Sequence, residues 1–240
     1  MQSRIIIVGS RERTPAFQQA FSEHFQNVES FPISKHELSS IYLSELELRD
    51  IDGLIITSAL AVESFQEKDL SKFPPFYCVG EKSTESVTFL GGTVALTGQG
   101  SATDLAKDIV TTKGAGHFVH LAGSSAKIDW YSLIKNSGGS VKTQVCYEVS
   151  YKEKLSPAEI QSFRNLSKDI FVFLSEAALT TTQNLFINGN IDFSSATAVC
   201  LSEDISKHSK GWSQVLFANT PTKEDLISKV KQEISTSGSL

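Results

Sequence analysis

The sequence predicts an α/β protein whose parallel sheets are covered by helices, and three observations predict it. Short β-branched and aromatic runs alternate with segments of helical period along the chain. The 240 residues are 40% hydrophobic and 20% charged, enough for one large core or for two lobes of roughly 100–120 residues each. A faint internal duplication favours two lobes: Asp52-Gly-Leu-Ile-Ile-Thr-Ser58-Ala-Leu-Ala61 lies on Asp169-Ile-Phe-Val-Phe-Leu-Ser175-Glu-Ala-Ala178, with Asp six residues before Ser and Ala three after it in both. Cys78-Val-Gly-Glu and Cys200-Leu-Ser-Glu follow, each with an Asp-Leu pair 26 or 25 residues beyond the cysteine.

Taken in order, Arg4–Gly9 reads as a strand. Thr14-Pro15 then offers a cap with proline at the first helical position, and Phe17, Ala20, Phe21 and Phe25 line one face of the helix. Val28–Phe31 is a second strand, which Pro32 is expected to break. Asp52–Thr57 is a buried-type strand feeding Ser58 as N-cap of a helix carrying Ala61, Val62 and Phe65. Phe76–Val79 is a strand ending at Gly80, and Ser83–Leu90 a helix stopped by Gly91-Gly92. Gly98-Gln-Gly100 follows no clear strand; Ser101–Val110 is a helix with Leu105, Ile109 and Val110 inward. His117–Leu121 is a strand, Ile128–Asn136 a helix stopped by Gly138-Gly139, and Ser140–Tyr151 a long extended stretch. Ser156-Pro157 opens a helix, Asp169–Leu174 is a strand and Ala177–Phe186 a helix. Thr197–Leu201 and Gln214–Phe217 are strands around a short helix, Thr222–Ile234 closes the chain, and the small polar tail Ser235–Leu240 should fray. Such alternation implies parallel sheets. The duplication is either coincidence between two common strand-turn-helix units or the mark of two similar lobes. In the second case each lobe turns a strand-to-helix junction, with free N–H groups, toward a shared cleft.

Composition excludes several classes. No apolar run approaches the roughly 18 residues of a membrane span, and Met1–Ile5 lacks the regions of a signal peptide, so a soluble cytoplasmic protein is the expectation. With 22 Lys and Arg against 27 Asp and Glu the net charge is -5, which disfavours nucleic acid as partner. Cys78, Cys146 and Cys200 form neither a C-x-x-C pair nor a disulfide framework and read as buried small apolar residues. His117-x-x-His120 has helical ligand spacing but lies in a strand, where residues three apart point to opposite faces. With no acidic or Cys cluster to complete a shell, no metal site is expected. Gly9-Ser-Arg-Glu-Arg-Thr lacks the glycines of a dinucleotide fingerprint, and neither a Walker lysine motif nor a G-x-S-x-G elbow occurs. No organic cofactor is expected either.

What remains is a set of hydroxyls at strand ends: Ser10, Thr57, Ser58, Ser83 and Ser175. Helix capping alone accounts for such residues at many turns. Their recurrence in both halves favours an anion-receiving surface, in which ligand carboxylates accept from hydroxyls and free N–H groups. Arg11 adds a cation just beyond the first strand, and Lys127 a second, against the commoner outcome of a solvated lysine. Tyr147 is either half-buried packing or, if it points into a cleft, a phenol able to donate a proton or a hydrogen bond to a departing hydroxyl.

As a set, these residues resemble the uroporphyrinogen-III synthase family over nearly the whole chain. The resemblance rests on Asp52–Phe65, Tyr77-Cys-Val-Gly80-Glu-Lys-Ser-Thr84 with Gly91, Val119-His-Leu-Ala-Gly123 and Val145-Cys-Tyr147-Glu-Val. It continues through Phe171-Val-Phe-Leu-Ser175, Ala198-Val-Cys-Leu-Ser202-Glu, Gly211-Trp212 and Pro221–Val230. It implies two parallel-sheet α/β lobes with flanking helices, joined by a two-stranded linker. The first, discontinuous lobe would be 1–31 with 152–240, the second 38–144, and the linkers 32–37 and 145–151. Carried over, Tyr147 would be catalytic, and Ser10, Arg11, Thr57, Ser58, Gly80, Ser83, Gly123, Lys127, Ser175 and Ser202 would bind substrate. The chain departs from the family pattern at several points. Ala122-Gly123 stands for Arg-Gly, Lys127 for an arginine, Leu174-Ser175 for Thr-Ser, and Ser10-Arg11-Glu12 for Thr-Arg-Pro.

The implied reaction closes hydroxymethylbilane, a linear polycarboxylate tetrapyrrole, into uroporphyrinogen III with loss of water and inversion of the last ring, without metal or cofactor. A monomer with a transient contact to the preceding deaminase is the implied state. Two other readings share the hydroxyl-lined turns. One is a non-catalytic two-lobe binding protein for a small anionic ligand, which would have no use for Tyr147. The other is a nucleotide-sugar or dinucleotide enzyme, against which the missing glycine fingerprint argues.

Overall fold

The structure, a computed structural model, describes residues 3–237. The chain divides into two compact units: one takes both ends of the chain, up to His36 and from Ser150 on, and the other is Glu37–Val149. In chain order, β1 (Ile5–Ser10), α1 (Thr14–Ser22) and β2 (Val28–Leu38) open the first unit. The second is built from β3 (Gly53–Ile56), α2 (Ala59–Glu63), β4 (Phe76–Val79), α3 (Glu81–Phe89), β5 (Val94–Gly98), α4 (Ala102–Lys113), β6 (His117–Gly123), α5 (Tyr131–Asn136) and β7 (Ser140–Tyr151). Then α6 (Pro157–Phe163), β8 (Ile170–Phe173), α7 (Glu176–Asn188), β9 (Thr197–Cys200), α8 (Glu203–Ser206), β10 (Gln214–Phe217) and α9 (Lys223–Ser237) complete the first.

Strand order explains the duplication. The first unit's sheet runs β10-β9-β8-β1-β2 and the second's β5-β4-β3-β6-β7, and neighbouring strands within each are parallel. Strands β8, β9 and β10 therefore stand where β3, β4 and β5 stand, and β1 and β2 where β6 and β7 do. Each sheet is doubly wound: the chain steps outward from a central strand, then returns beside it to build the other side.

The central strands read as unbroken apolar runs because both faces are buried. In β1, Ile5 and Ile7 enter a core with Phe17, Phe21 and Leu226, while Ile6 and Val8 enter another with Phe171, Phe186 and Trp212. In the second unit Leu54 and Ile56 join Phe76, Cys78 and Leu121, while Ile55 joins Tyr77, Phe118 and Trp130 on the other face. Cys78, Cys146 and Cys200 are free and buried. Burial pushes their thiols up to about 11, 11 and 12, so they stay protonated at neutral pH.

The duplicated aspartates tie strand entrances together at the amino ends of the sheets. Asp169 accepts from Arg4 Nε at 2.9 Å and from the Ser167 amide at 2.9 Å, joining the start of β8 to that of β1. Asp52 accepts from the His117 amide at 2.8 Å and pairs with Lys113 at 3.1 Å, joining β3 to β6. Asp169 is buried, so Asp169→Asn, which removes the charge facing Arg4, should cost about 2 kcal/mol. Asp52→Asn, at a more exposed pair, should cost about 0.5 kcal/mol. Urea unfolding read from Trp212 in the first unit and Trp130 in the second measures each separately.

Four expectations need correction. Pro32 does not end β2, because it sits beside a bulge, where Gly9 pairs with Pro32 but Ser10 with Ser34, a place in a strand that tolerates proline. Thr14 is not the cap of α1; Arg13 is the N-cap residue, and Thr14 begins the helix as a buried residue. Gly98 is the last residue of a strand, β5, whose partial exposure at the sheet edge hid it from a search for apolar runs. The tail is helical through Ser237, and 238–240 of the expected frayed segment lie outside the described residues.

Candidate active site

Because all strands of each unit are parallel, the turns leaving their carboxyl ends gather along one edge of its sheet. Nearly all of the expected site residues fall there. In the first unit Ser10 ends β1, Arg11 follows it, Ser175 follows β8 and Ser202 follows β9. In the second, Thr57 and Ser58 follow β3, Gly80 and Ser83 follow β4, Gly123 ends β6, and Tyr147 pairs with Gly123 from β7.

Several of these residues cap helices, the plainer of the two roles open to them. Ser58 accepts from the Leu60 amide at 3.4 Å at the start of α2, and Ser175 from the Ala178 amide at 3.1 Å at the start of α7. Ser202 is the N-cap residue of α8 but makes no side-chain cap bond. Gly80, the N-cap residue of α3, has φ 73°, a conformation that disfavours any residue with a Cβ. Ser83 is buried in the first turn of α3. Lys127 is exposed, and its carbonyl accepts from the Trp130 indole at 3.0 Å.

Ser10 is different. Its hydroxyl is buried, makes no hydrogen bond of full geometry among the described residues, and faces the Glu12 carboxylate, whose pKa it helps to lower. Beside it, Arg11 lines a cavity of about 430 Å³ together with Ser34, Lys35, Tyr151 and Lys152. Three cationic side chains on one cavity suit a polycarboxylate. Lys152 is also held by Glu159 at 3.1 Å. Sequence reading missed Arg13, which donates to the Leu174 carbonyl at 3.2 Å and lies over Phe17, locking the β1–α1 turn against the end of β8. Glu12 faces His36, accepting from its amide at 3.0 Å. Burial raises the Glu12 pKa, but hydrogen bonds outweigh it and the net shift is downward, so the carboxylate stays ionised.

Tyr147 packs within the second unit with little exposed surface. Its ring covers Gly123: a Cβ placed there would meet Cε2 and come within 2.7 Å of Cζ and 3.0 Å of the hydroxyl. The glycine therefore makes the space the phenol occupies.

The residue least expected at this edge is His120. It is 1% exposed in mid-β6, and both ring nitrogens are engaged: Nε2 with the Thr57 hydroxyl at 2.9 Å, Nδ1 with the Tyr131 hydroxyl at 2.7 Å. Tyr131 in turn bonds Thr143 at 2.7 Å. Desolvation pushes the His120 pKa down to about 4, so the ring is neutral at pH 7. Its neighbour His117 points outward, exposed, and meets Ser140. The available sequence signal was a polar residue at an inward position of an otherwise apolar strand. Its partners come from the turn after β3 and from α5, which no local pattern links to it.

Doubly wound sheets with hydroxyls, helix N-termini and cations along their carboxyl edges define a small-molecule α/β protein suited to an anionic ligand. Comparison makes this specific. The family model described as "Uroporphyrinogen-III synthase HemD" matches residues 15–228, and the chain belongs to the uroporphyrinogen-III synthase family, cyclising hydro-lyases of haem and other tetrapyrrole biosynthesis. The fold is that of solved members. The crystal structure of uroporphyrinogen-III synthetase from Helicobacter pylori superposes with a TM-score of 0.66 at 16% identity, over 96% of this chain and 99% of that one. A mutant uroporphyrinogen III synthase from the extremely thermophilic bacterium Thermus thermophilus gives 0.59 at 15% identity, over 98% and 99%. No curated protein matches in sequence. Among the described residues no helix is long and apolar enough to cross a membrane.

Proposed function

We propose that the carboxyl-edge groups bind the carboxylate side chains of hydroxymethylbilane and that Tyr147 assists its closure to uroporphyrinogen III. The lobes of this reading are 1–31 with 152–240 and 38–144, joined by the linkers 32–37 and 145–151. The supporting observation is the gathering of Ser10, Arg11, Ser175 and Ser202 on one sheet edge, and of Thr57, Ser58, Gly80, Ser83, Gly123 and Tyr147 on another, by parallel topology. Amide and hydroxyl donors there, with Arg11 and Lys127, would hold a flexible chain so that its two ends meet, and such positioning can contribute several kcal/mol to the barrier. The terminal C–O bond breaks as Tyr147 donates a hydrogen bond to the leaving hydroxyl, which takes a proton from solvent and departs as water, and the ring carbon that forms the new C–C bond gives up its own proton in return. The cationic pyrrole left behind is stabilised by nearby carboxylates, including the substrate's own.

A coupled assay tests this. Porphobilinogen and a deaminase are supplied, the products oxidised, and the porphyrin isomers separated. The type III isomer should appear only with this protein present; type I alone from a folded sample rejects the reading. Tyr147→Phe should lower kcat about 10-fold without abolishing activity, since the phenol contributes one hydrogen bond to a reaction already intramolecular. An unchanged kcat removes Tyr147 from the mechanism. The reading places a monomer in the cytoplasm, in transient contact with the deaminase that supplies its substrate.

A further inference from the structure

Thr57, His120, Tyr131 and Thr143 form one chain of hydrogen bonds, three links at 2.9, 2.7 and 2.7 Å, running from the turn after β3 to the surface of β7. Packing alone would not require it. His120 already has an apolar enclosure, with Trp130 edge-on at 5.1 Å and Tyr131 at 5.8 Å, and the Trp130 indole N–H is spent on Lys127. A neutral imidazole has one donor and one acceptor, and each hydroxyl one proton, so the chain must run in one of two directions. If Thr143 donates to Tyr131 and Tyr131 to Nδ1, then Nε2–H donates to Thr57, whose own proton is free to leave the chain. In the reverse direction Thr57 donates inward and presents only lone pairs outward. A carboxylate at Thr57 is compatible with the first direction alone.

We infer that His120 is a positioning residue: as the Nε2–H tautomer, with direction relayed from Thr143 through Tyr131, it holds the Thr57 hydroxyl as a donor toward a carboxylate of the substrate. The inference rests on the reading that Thr57 meets the substrate. It explains why this chain keeps a histidine within an apolar strand, and it gives Tyr131 and Thr143 a role at a distance from the ligand.

Two measurements test it. In protein labelled with ¹⁵N in its histidine rings, saturation with uroporphyrinogen III under reducing conditions should leave the His120 proton on Nε2; a proton on Nδ1 in the bound state overturns the inference. This uses the unaltered protein, so no variant need fold. The second is a double-mutant cycle on KM for hydroxymethylbilane. Thr57→Val and His120→Phe should each raise KM roughly 5-fold, the scale of one hydrogen bond, with kcat little changed. His120→Phe in the Thr57→Val background should add almost nothing, because His120 acts only through that hydroxyl. Penalties that multiply would make His120 merely structural and overturn the inference while leaving Thr57 as a contact. A KM unaffected by Thr57→Val would instead remove the contact, and the inference with it.

Discussion

Replacing Gly123 by alanine is expected to lower kcat about 10-fold, as far as removal of the Tyr147 hydroxyl does, because an ångström-scale displacement of that group forfeits its contribution. The new Cβ would stand 2.7 Å from Tyr147 Cζ and 3.0 Å from its hydroxyl, so the ring must move. It cannot move freely, since it packs in a core with Leu121, Cys146 and Val62. Overpacking of this kind costs about 1–3 kcal/mol, which thermal unfolding read from Trp130 should register. Activity should fall further than that loss of folded protein explains. In the Tyr147→Phe background, Gly123→Ala should reduce kcat only slightly more, because the hydroxyl it misplaces is already gone. A further 10-fold loss there would mean that the alanine blocks substrate instead.

The sequence signals that succeeded were local. Buried apolar runs such as Ile5–Val8 and Phe171–Phe173 mark central strands because both of their faces are covered. Ser58 and Ser175 announce helix starts because a cap needs only its own next few residues. What stayed hidden depends on partners distant in the chain. Strand β5 lies at a sheet edge and is half-exposed, so it lacks the apolar run that identified the others. Pro32 reads as a breaker until the bulge against Gly9 is known. The duplicated motifs do not show that one unit is interrupted, with β8, β9 and β10 completing the sheet that β1 and β2 began. At the site, the hydroxyls and glycines were legible as strand-end residues. The burial of Tyr147 over Gly123 is a matter of register between β6 and β7. The His120 chain required four segments to come together, the turn after β3, β6, α5 and β7, and only the fold supplies that.

The same histidine should govern stability in mild acid. Its folded pKa is about 4, below the value near 6.5 of an unfolded chain. The unfolded state therefore binds the extra proton first, and stability must fall as pH falls. The loss begins below about pH 6.5 and is complete near pH 4, amounting to about 3 kcal/mol for a shift of this size. Below pH 4 both states are protonated and this contribution becomes flat. Asp52, Asp104 and Glu159 also have lowered pKa values, through hydrogen bonds that outweigh any burial. Their stabilisation is present above the carboxylate range and is lost only as pH drops through about 4 and below. The interval from pH 6.5 to 4.5 is thus where His120 can be read apart from them. His120→Phe is expected to be less stable at pH 7, having lost two hydrogen bonds, yet nearly flat across that interval where the parent loses most of its 3 kcal/mol. Urea midpoints followed through Trp130 at half-unit pH steps would measure both slopes. Parallel curves would mean that the imidazole reaches solvent and protonates without unfolding the second unit.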